Sequence, residues 1–328
     1  MEEVIIVGAG PCGLSAAIEL QKIGINPLII EKNCIAHSIS LYPTYMHFFS
    51  TPELLEIGGI PFTTPNEKPS RLEALNYYRN AALRSQVRVQ SYHSVDAVRR
   101  QDDGTFQLSV SDRFGNSSTA PARYVIVATG YFDHPNLLGI PGEEKEKVTH
   151  YYREAHPYSC TKVAIIGGNN SAIDAAMDLL RVGAEVTVVY RGEEYSPNIK
   201  PWVRPIFESM VNKGKIRMMF RSQVVRIEDR HITINENGSE RQLDNDFVLA
   251  LTGFRPDRSM LTAAGVKLND ERTAPRYNPD TMETTVKGLY IAGVAASGND
   301  ANEVFIESGR LHGGMIARHI ASQALLDT

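Results

Sequence analysis

Cysteine is scarce in this chain of 328 residues: Cys12, Cys34 and Cys160 are the whole set. Three scattered thiols cannot build a disulfide framework, and no CxxC or Cys/His zinc spacing occurs among them, so no metal centre is expected. An excess of charge of one sign is missing too. Lys and Arg total 34 against 38 Asp and Glu, a formal net charge of −4. That leaves no broad basic field to attract nucleic acid or an anionic membrane. No apolar run approaches the roughly 20 residues of a bilayer span. The start, Met1-Glu2-Glu3, passes straight into an apolar strand without a basic leader or cleavage segment. Glycine and proline, 25 and 17 residues, stand at ordinary levels, which excludes collagen-like and low-complexity chains. These absences predict a soluble, cytoplasmic protein of about two domains, at ~150 residues per domain.

What is present begins at the N-terminus. Val4-Ile5-Ile6-Val7 is a short, wholly apolar run, the pattern of a strand buried on both faces of a parallel sheet. Gly8-Ala9-Gly10-Pro11-Cys12-Gly13 follows directly and reads GxGxxG. Leu14, Ala17 and Ile18 then recur at helical spacing until Gly24, and Pro27-Leu28-Ile29-Ile30-Glu31 makes a second strand closed by an acid. In such a unit Gly8 permits the tight turn, Gly10 admits a pyrophosphate, and Gly13 lets helix and strand approach. The phosphates meet free N–H groups at the positive end of the helix. Glu31 stands at the distance of about 20 residues expected of the acid that binds a ribose hydroxyl.

A second copy lies downstream. Lys162-Val163-Ala164-Ile165-Ile166 is the strand, Gly167-Gly168-Asn169-Asn170-Ser171-Ala172 the turn, and Ile173, Ala176, Met177 and Leu180 mark a helix ending at Gly183. Asn169 replaces the second glycine, as a residue tolerant of unusual backbone angles, and Ala172 replaces the third. The next strand, 185–190, closes on Arg191 instead of an acid. An arginine there suits the 2′-phosphate of NADP(H), with Lys200 as a weaker second contact; an ordinary surface arginine is the plain alternative.

Two dinucleotide units, one ending in an acid and one in an arginine, imply FAD in the first and NADPH in the second. The arrangement resembles the two-dinucleotide-binding flavoproteins, the superfamily of thioredoxin reductases and flavin monooxygenases. Tyr124 to Val127 with Ala128-Thr129-Gly130 is similar to the strand and turn those proteins set near FAD, Pro141-Gly142 to their hinge, and Gly288 to Gly293 to their returning strand. The implied fold is α/β, with two Rossmann-like domains and the NADPH domain (141–254) inserted between FAD-binding segments 1–140 and 255–328.

The resemblance also implies roles for residues along the chain. Lys32 follows the ribose acid, Val95 pairs its backbone with adenine, and a last helix from about Asn302 to Ile320 places Val304 and Phe305 near the flavin with its positive end toward the ring. The superfamily's Asp after the C-terminal glycine is absent, since Val294 follows Gly293. Helices and strands expected elsewhere are 71–83 as a helix and 87–94 as a strand. Asn235-Glu236-Asn237-Gly238 is a hairpin turn signal after Val225-Arg226-Ile227.

Chemistry must come from few groups. The thioredoxin-reductase CxxC is missing, because 162–253 contains no cysteine, and Cys34 lacks the partner of a CxxxxC. The monooxygenase signature is echoed at 152–158 without its glycine. Gly10-Pro11-Cys12-Gly13, the second glycine turn and Lys200-Pro201-Trp202 together resemble the bacillithiol disulfide reductase family over nearly the whole chain. That resemblance implies an NADPH- and FAD-dependent reductase of a low-molecular-weight disulfide, with Cys12 as the redox thiol. A thiol at a helix N-terminus is expected to have a lowered pKa. The alternative reading of Cys12 is a small residue filling a crowded turn. His47 is a possible proton donor or simply a packed or surface histidine. Cys34 and Cys160 are expected to be structural or incidental, and Trp202 a packing anchor. A monooxygenase and a redox relay that needs a protein partner stay open as other functions, and a homo-oligomer is implied by the superfamily.

Overall fold

The computed structural model describes residues 1–271, 273–298 and 303–326. The chain divides into two compact units. One comprises 1–40, 46–134 and 254–328, the other 41–45 and 135–253. The chain therefore leaves the first unit after His134 and returns at Phe254. Pro141-Gly142 does not sit at that crossing but inside the second unit, where Ile227 N–H donates to Pro141 O at 2.9 Å.

In the first unit the strands are β1 (Glu2–Val7), β2 (Leu28–Glu31), β3 (Arg88–Ser91), β4 (His93–Arg100), β5 (Phe106–Asp112) and β6 (Ser117–Val127), in spatial order β3-β2-β1-β6-β5-β4. β1 pairs in parallel with β2 and β6, so both its edges are occupied, and Val4, Ile5 and Ile6 are wholly buried. That is the environment an unbroken apolar run requires. The expected strand 87–94 is two strands, because Tyr92 turns into the left-handed region at φ 60° between β3 and β4. β6 changes partner along its length. Its first half pairs antiparallel with β5, and its last residues, Tyr124 to Val127, run beside β1.

The second unit carries β7 (Val148–Thr149), β8 (Lys162–Ile166), β9 (Glu185–Val189), β10 (Ile216–Met219), β11 (Ser222–Ile227), β12 (His231–Glu236), β13 (Ser239–Asp244) and β14 (Phe247–Ala250). Five form a parallel sheet in the order β10-β9-β8-β14-β7, and β11-β12-β13 form a small antiparallel sheet. The hairpin turn joins β12 to β13, with Asn237 and Gly238 at φ 53° and 89°, the pair of positive angles a type I′ turn demands. The last strand, β15 (Leu289–Ile291), returns to the first unit and lies parallel beside β6.

The helix Pro11–Lys22 follows β1, and the helix Asn170–Arg181 follows β8. Each begins at the carboxyl end of a strand flanked on both sides by parallel neighbours, where open α/β sheets bind their ligands. Two Rossmann-like halves thus present two glycine turns, each in its own unit.

Candidate functional site

The first turn is shaped as its spacing predicts. Gly8 adopts φ 108°, and its N–H donates to Ile30 O at 2.9 Å. A Cβ built on Gly13 would lie 2.0 Å from Gly8 O, so only glycine fits that contact. Gly10 has nothing within 4 Å of such a Cβ, which leaves an open face above the turn. No side chain caps the helix, and Pro11 stands in its first turn. The free first-turn amides and the open Gly10 face are what a pyrophosphate needs, so these residues fit FAD.

Glu31, buried at the end of β2, accepts the N–H of Ala9 at 2.7 Å through one oxygen and that of Asn33 at 2.7 Å through the other. These bonds aim the carboxylate at the phosphate turn and spare lone pairs for a ribose hydroxyl. Lys32 is ion-paired to Asp133 at 3.0 Å on the surface. Ala128 N–H donates to Val7 O, Thr129 is exposed, and Gly130 is open at φ 72°. Val95 pairs with Val110 beside a bulge in β4.

At the C-terminal motif, Val294 is half-buried and carries no polar group. The Gly293 N–H donates to Nδ1 of His312 at 3.1 Å. In the neutral ring Nε2 then carries the proton. Burial lowers the pKa of His312, which keeps that neutral form near pH 7. The expected single last helix is two pieces, Ile306–Gly309 and His312–Leu326. Asn302 lies outside the described residues. Val304 is half-buried and Phe305 exposed at the start of a one-turn helix, too short for the strong dipole expected there. The Glu303 carboxylate accepts the N–H of Gly298 at 3.2 Å.

Cys12 overturns one expectation. Its sulfur packs against two glycines from the far end of the chain: a Cβ on either Gly293 or Gly309 would come within 2.8 Å of Sγ. Burial pushes the thiol up to about 12 from an ordinary 9.0. Desolvation of a thiolate opposes the helix N-terminus, which argues against the activated thiolate expected from the position of this half-buried residue. His47 is exposed, with its backbone bridged to Ser70. Cys34 touches Nδ1 of His37 at 3.7 Å, and Cys160 is exposed.

The second turn repeats the design with changes. Gly167 adopts φ 143° and its N–H donates to Val189 O, while Gly168 lies against the Tyr190 ring, where a Cβ would come within 2.4 Å. Asn169 is in ordinary extended conformation, φ −99°, so backbone tolerance is not why it is there. Its Oδ1 accepts from Ser196 Oγ at 2.6 Å. Asn170 accepts the N–H of Lys200 at 2.9 Å and donates to Asn198 O at 2.9 Å. Both asparagines thus tie down the 195–200 loop and leave the helix uncapped, with Ser171 exposed and Ala172 buried in the third-glycine position. The uncapped amides fit the pyrophosphate of a second dinucleotide. Arg191 is exposed just past β9. Lys200 Nζ is instead held by Asp174 at 2.8 Å, so its ammonium is not a free phosphate contact. Trp202, expected as an anchor, is 60% exposed. Sequence reasoning missed Ser196, His312 and Gly309; only Gly309 stood near a motif, and no local signal marked the other two.

These two cradles define a class. The model of the family described as pyridine nucleotide-disulphide oxidoreductase matches residues 5–293. The chain belongs to that family, a disulfide oxidoreductase with FAD and NADPH as its cofactors. Among its relatives it is 49% identical over 323 residues, 98% of each chain, to the bacilliredoxin reductase Bdr of Bacillus subtilis (strain 168). It is also similar to two solved structures of bacillithiol disulfide reductase Bdr (YpdA). The one from Bacillus cereus shares 50% identity at a TM-score of 0.95, covering 98% of this chain and 99% of that one. The one from Staphylococcus aureus shares 44% at 0.92, covering 98% of each.

Proposed function

We propose that this protein is an NADPH-dependent flavoprotein reductase of bacillithiol disulfide. The observation that carries the reading is the pairing of two dinucleotide cradles with a half-buried thiol, Cys12, in the first of them, in a chain whose full-length relatives bear reductase names. When bound, NADPH and FAD would supply a hydride and then an electron pair for reduction of the disulfide. Gly8, Gly10, Gly13 and Glu31 hold FAD with the turn and strand of the first unit. Gly167, Gly168, the uncapped helix and Arg191 hold NADPH in the second.

Cys12 is the redox thiol of this proposal. Its raised pKa sets how it enters: the proton must leave Sγ before the thiolate attacks the substrate disulfide, which slows that step. The Cys12 thiolate and the substrate disulfide give a Cys12–substrate mixed disulfide and a displaced thiolate, which takes up the proton that Cys12 lost. Release of the second thiol and return of Cys12 to its reduced form would take the electron pair that the bound cofactors supply. His312, kept neutral with its Nδ1 occupied, holds the Gly293 turn against the sulfur.

A second reading has its own support. The Bacillus subtilis relative is named for bacilliredoxin, so a protein disulfide is the competing substrate. Anaerobic NADPH oxidation decides between them. Turnover with bacillithiol disulfide alone supports the first reading; turnover only after oxidised bacilliredoxin is added supports the second. NADPH-linked oxygen consumption that ignores both disulfides and the Cys12→Ala change overturns both. A cytoplasmic location and a homo-oligomer complete the proposal; no helix among the described residues is long and apolar enough to cross a membrane.

A further inference from the structure

The second unit carries another guanidinium at the edge where Arg191 stands. We propose that Arg221 is a second specificity-determining residue for NADPH, gripping the 2′-phosphate together with Arg191. This rests on the assignment of the second cradle and Arg191 to NADPH made above.

The backbone brings the two arginines to one place. β9 and β10 are parallel neighbours with Val189 beside Met219, so both strands end at the same edge. Past their ends the two connections are stitched together. Tyr190 N–H donates to Met219 O at 2.9 Å, Ser222 N–H to Tyr190 O at 3.1 Å, and Arg221 N–H to Gly192 O at 2.9 Å. Arg191 stands between these bonds. Arg221 itself is in the left-handed region at φ 47°, a conformation uncommon for a long side chain and held here by the stitching.

The side chain lines a hollow of about 610 Å³ bordered by Tyr190, Gly192, Glu193, Glu194 and Ser196. Ser196 on its border is bonded to Asn169 of the glycine turn at 2.6 Å, which ties the loop of the hollow to the second cradle. In a βαβ unit the adenosine ribose lies past the end of the second strand, which here is β9. Arg221 is ion-paired to Glu193 at 3.2 Å, with both side chains more than half exposed. Such a pair is weak, whereas a phosphate offers a guanidinium two parallel charge-assisted bonds. The phosphate therefore displaces Glu193. The Glu194 carboxylate on the same hollow opposes the phosphate, a physical reason for two guanidiniums in place of one.

The test uses the FAD-loaded protein and calorimetric titration with two probes, 2′,5′-ADP and 5′-AMP, which differ only in the 2′-phosphate. Arg221→Asn removes the guanidinium and keeps a residue that tolerates positive φ. It is expected to weaken 2′,5′-ADP about tenfold while leaving 5′-AMP unchanged. Arg221→Lys, which keeps a point charge, is expected to fall between. Unchanged 2′,5′-ADP binding in Arg221→Asn overturns the proposal, as does an equal loss for both probes, which would make Arg221 a support of the loop. If Arg191→Ala loses the preference for 2′,5′-ADP and Arg221→Asn keeps it, Arg221 is out and the NADPH assignment stands. If the unmodified protein binds both probes alike, the assignment itself fails.

Discussion

Alkylation of Cys12 as a function of pH probes how the fold sets its chemistry. Only the thiolate attacks iodoacetamide, so the rate follows the thiolate fraction. With the thiol at about 12 instead of 9.0, that fraction at pH 7.5 falls by about a thousandfold. Cys160 is exposed and serves as the internal reference in the same sample. Timed labelling, acid quench and mass spectrometry of the peptides should show Cys12 modified about a thousandfold more slowly in the folded protein than after denaturation. Its rate should climb about tenfold per pH unit to beyond pH 11, and after denaturation all three cysteines should react alike. Linkage gives a second readout. A thiol whose folded pKa is raised stabilises the fold fully below the unfolded value near 9, and this contribution is lost as pH rises toward 12. Thermal stability should therefore decline through that window, and Cys12→Ala should remove this part of the decline. Labelling of Cys12 as fast as Cys160, or a rate that levels off below pH 9, would refute the argument that burial beats the helix N-terminus.

Other expectations follow from particular contacts. Gly13→Ala forces a methyl into Gly8 O and should cost at least ~1–3 kcal/mol as an overpacking change, read as a lowered melting temperature of the flavin-free protein. Gly10→Ala meets no atom within 4 Å, so its flavin-free melting temperature should stay put while bound FAD per chain falls. Arg191→Ala should shrink the kcat/KM preference for NADPH over NADH by about ten- to a hundredfold, leaving NADH kinetics nearly unchanged; equal use of both cofactors by the unmodified protein sinks the assignment. Ser70 and Glu73 form a capping box on the helix Arg71–Arg84, and hydrogen bonds from Thr64 and the Ser70 backbone lower Glu73 to about 2. Its contribution is present above about 4.5 and lost as pH falls toward 2. Ser70→Ala should cost about 1 kcal/mol by denaturant titration at neutral pH, and that difference should narrow in acid.

Local sequence was enough for the two nucleotide units, because each of their parts is a near-neighbour property. An apolar run makes a buried strand, a glycine with positive φ makes the turn, and helical spacing makes the amphipathic helix; β1, Gly8 and the helix Pro11–Lys22 follow in that order. The helix expected at 71–83 is observed as Arg71–Arg84, and its capping box of Ser70 and Glu73 is a near-neighbour feature as well. Where sequence reasoning failed, a remote partner decided. The break at Tyr92 depends on β3 joining β2 while β4 joins β5, two pairings the local alternation cannot distinguish. Asn169 is explained by Ser196 and not by its own backbone, and Lys200 is taken by Asp174.

Cys12 shows the division most sharply. Its sequence neighbours, a glycine turn and a helix start, argue for an activated thiolate, and that inference is sound for a solvent-exposed thiol. The thiol is enclosed by Gly293 and Gly309, which the fold brings in when β15 returns to β6 and the chain then enters its final helices. The sequence by itself therefore determined the two cradles and their order, because those rest on backbone geometry set within about 30 residues. The state of the thiol was left to the tertiary structure, because desolvation is a sum over every atom that displaces water, and most of those atoms come from elsewhere in the chain.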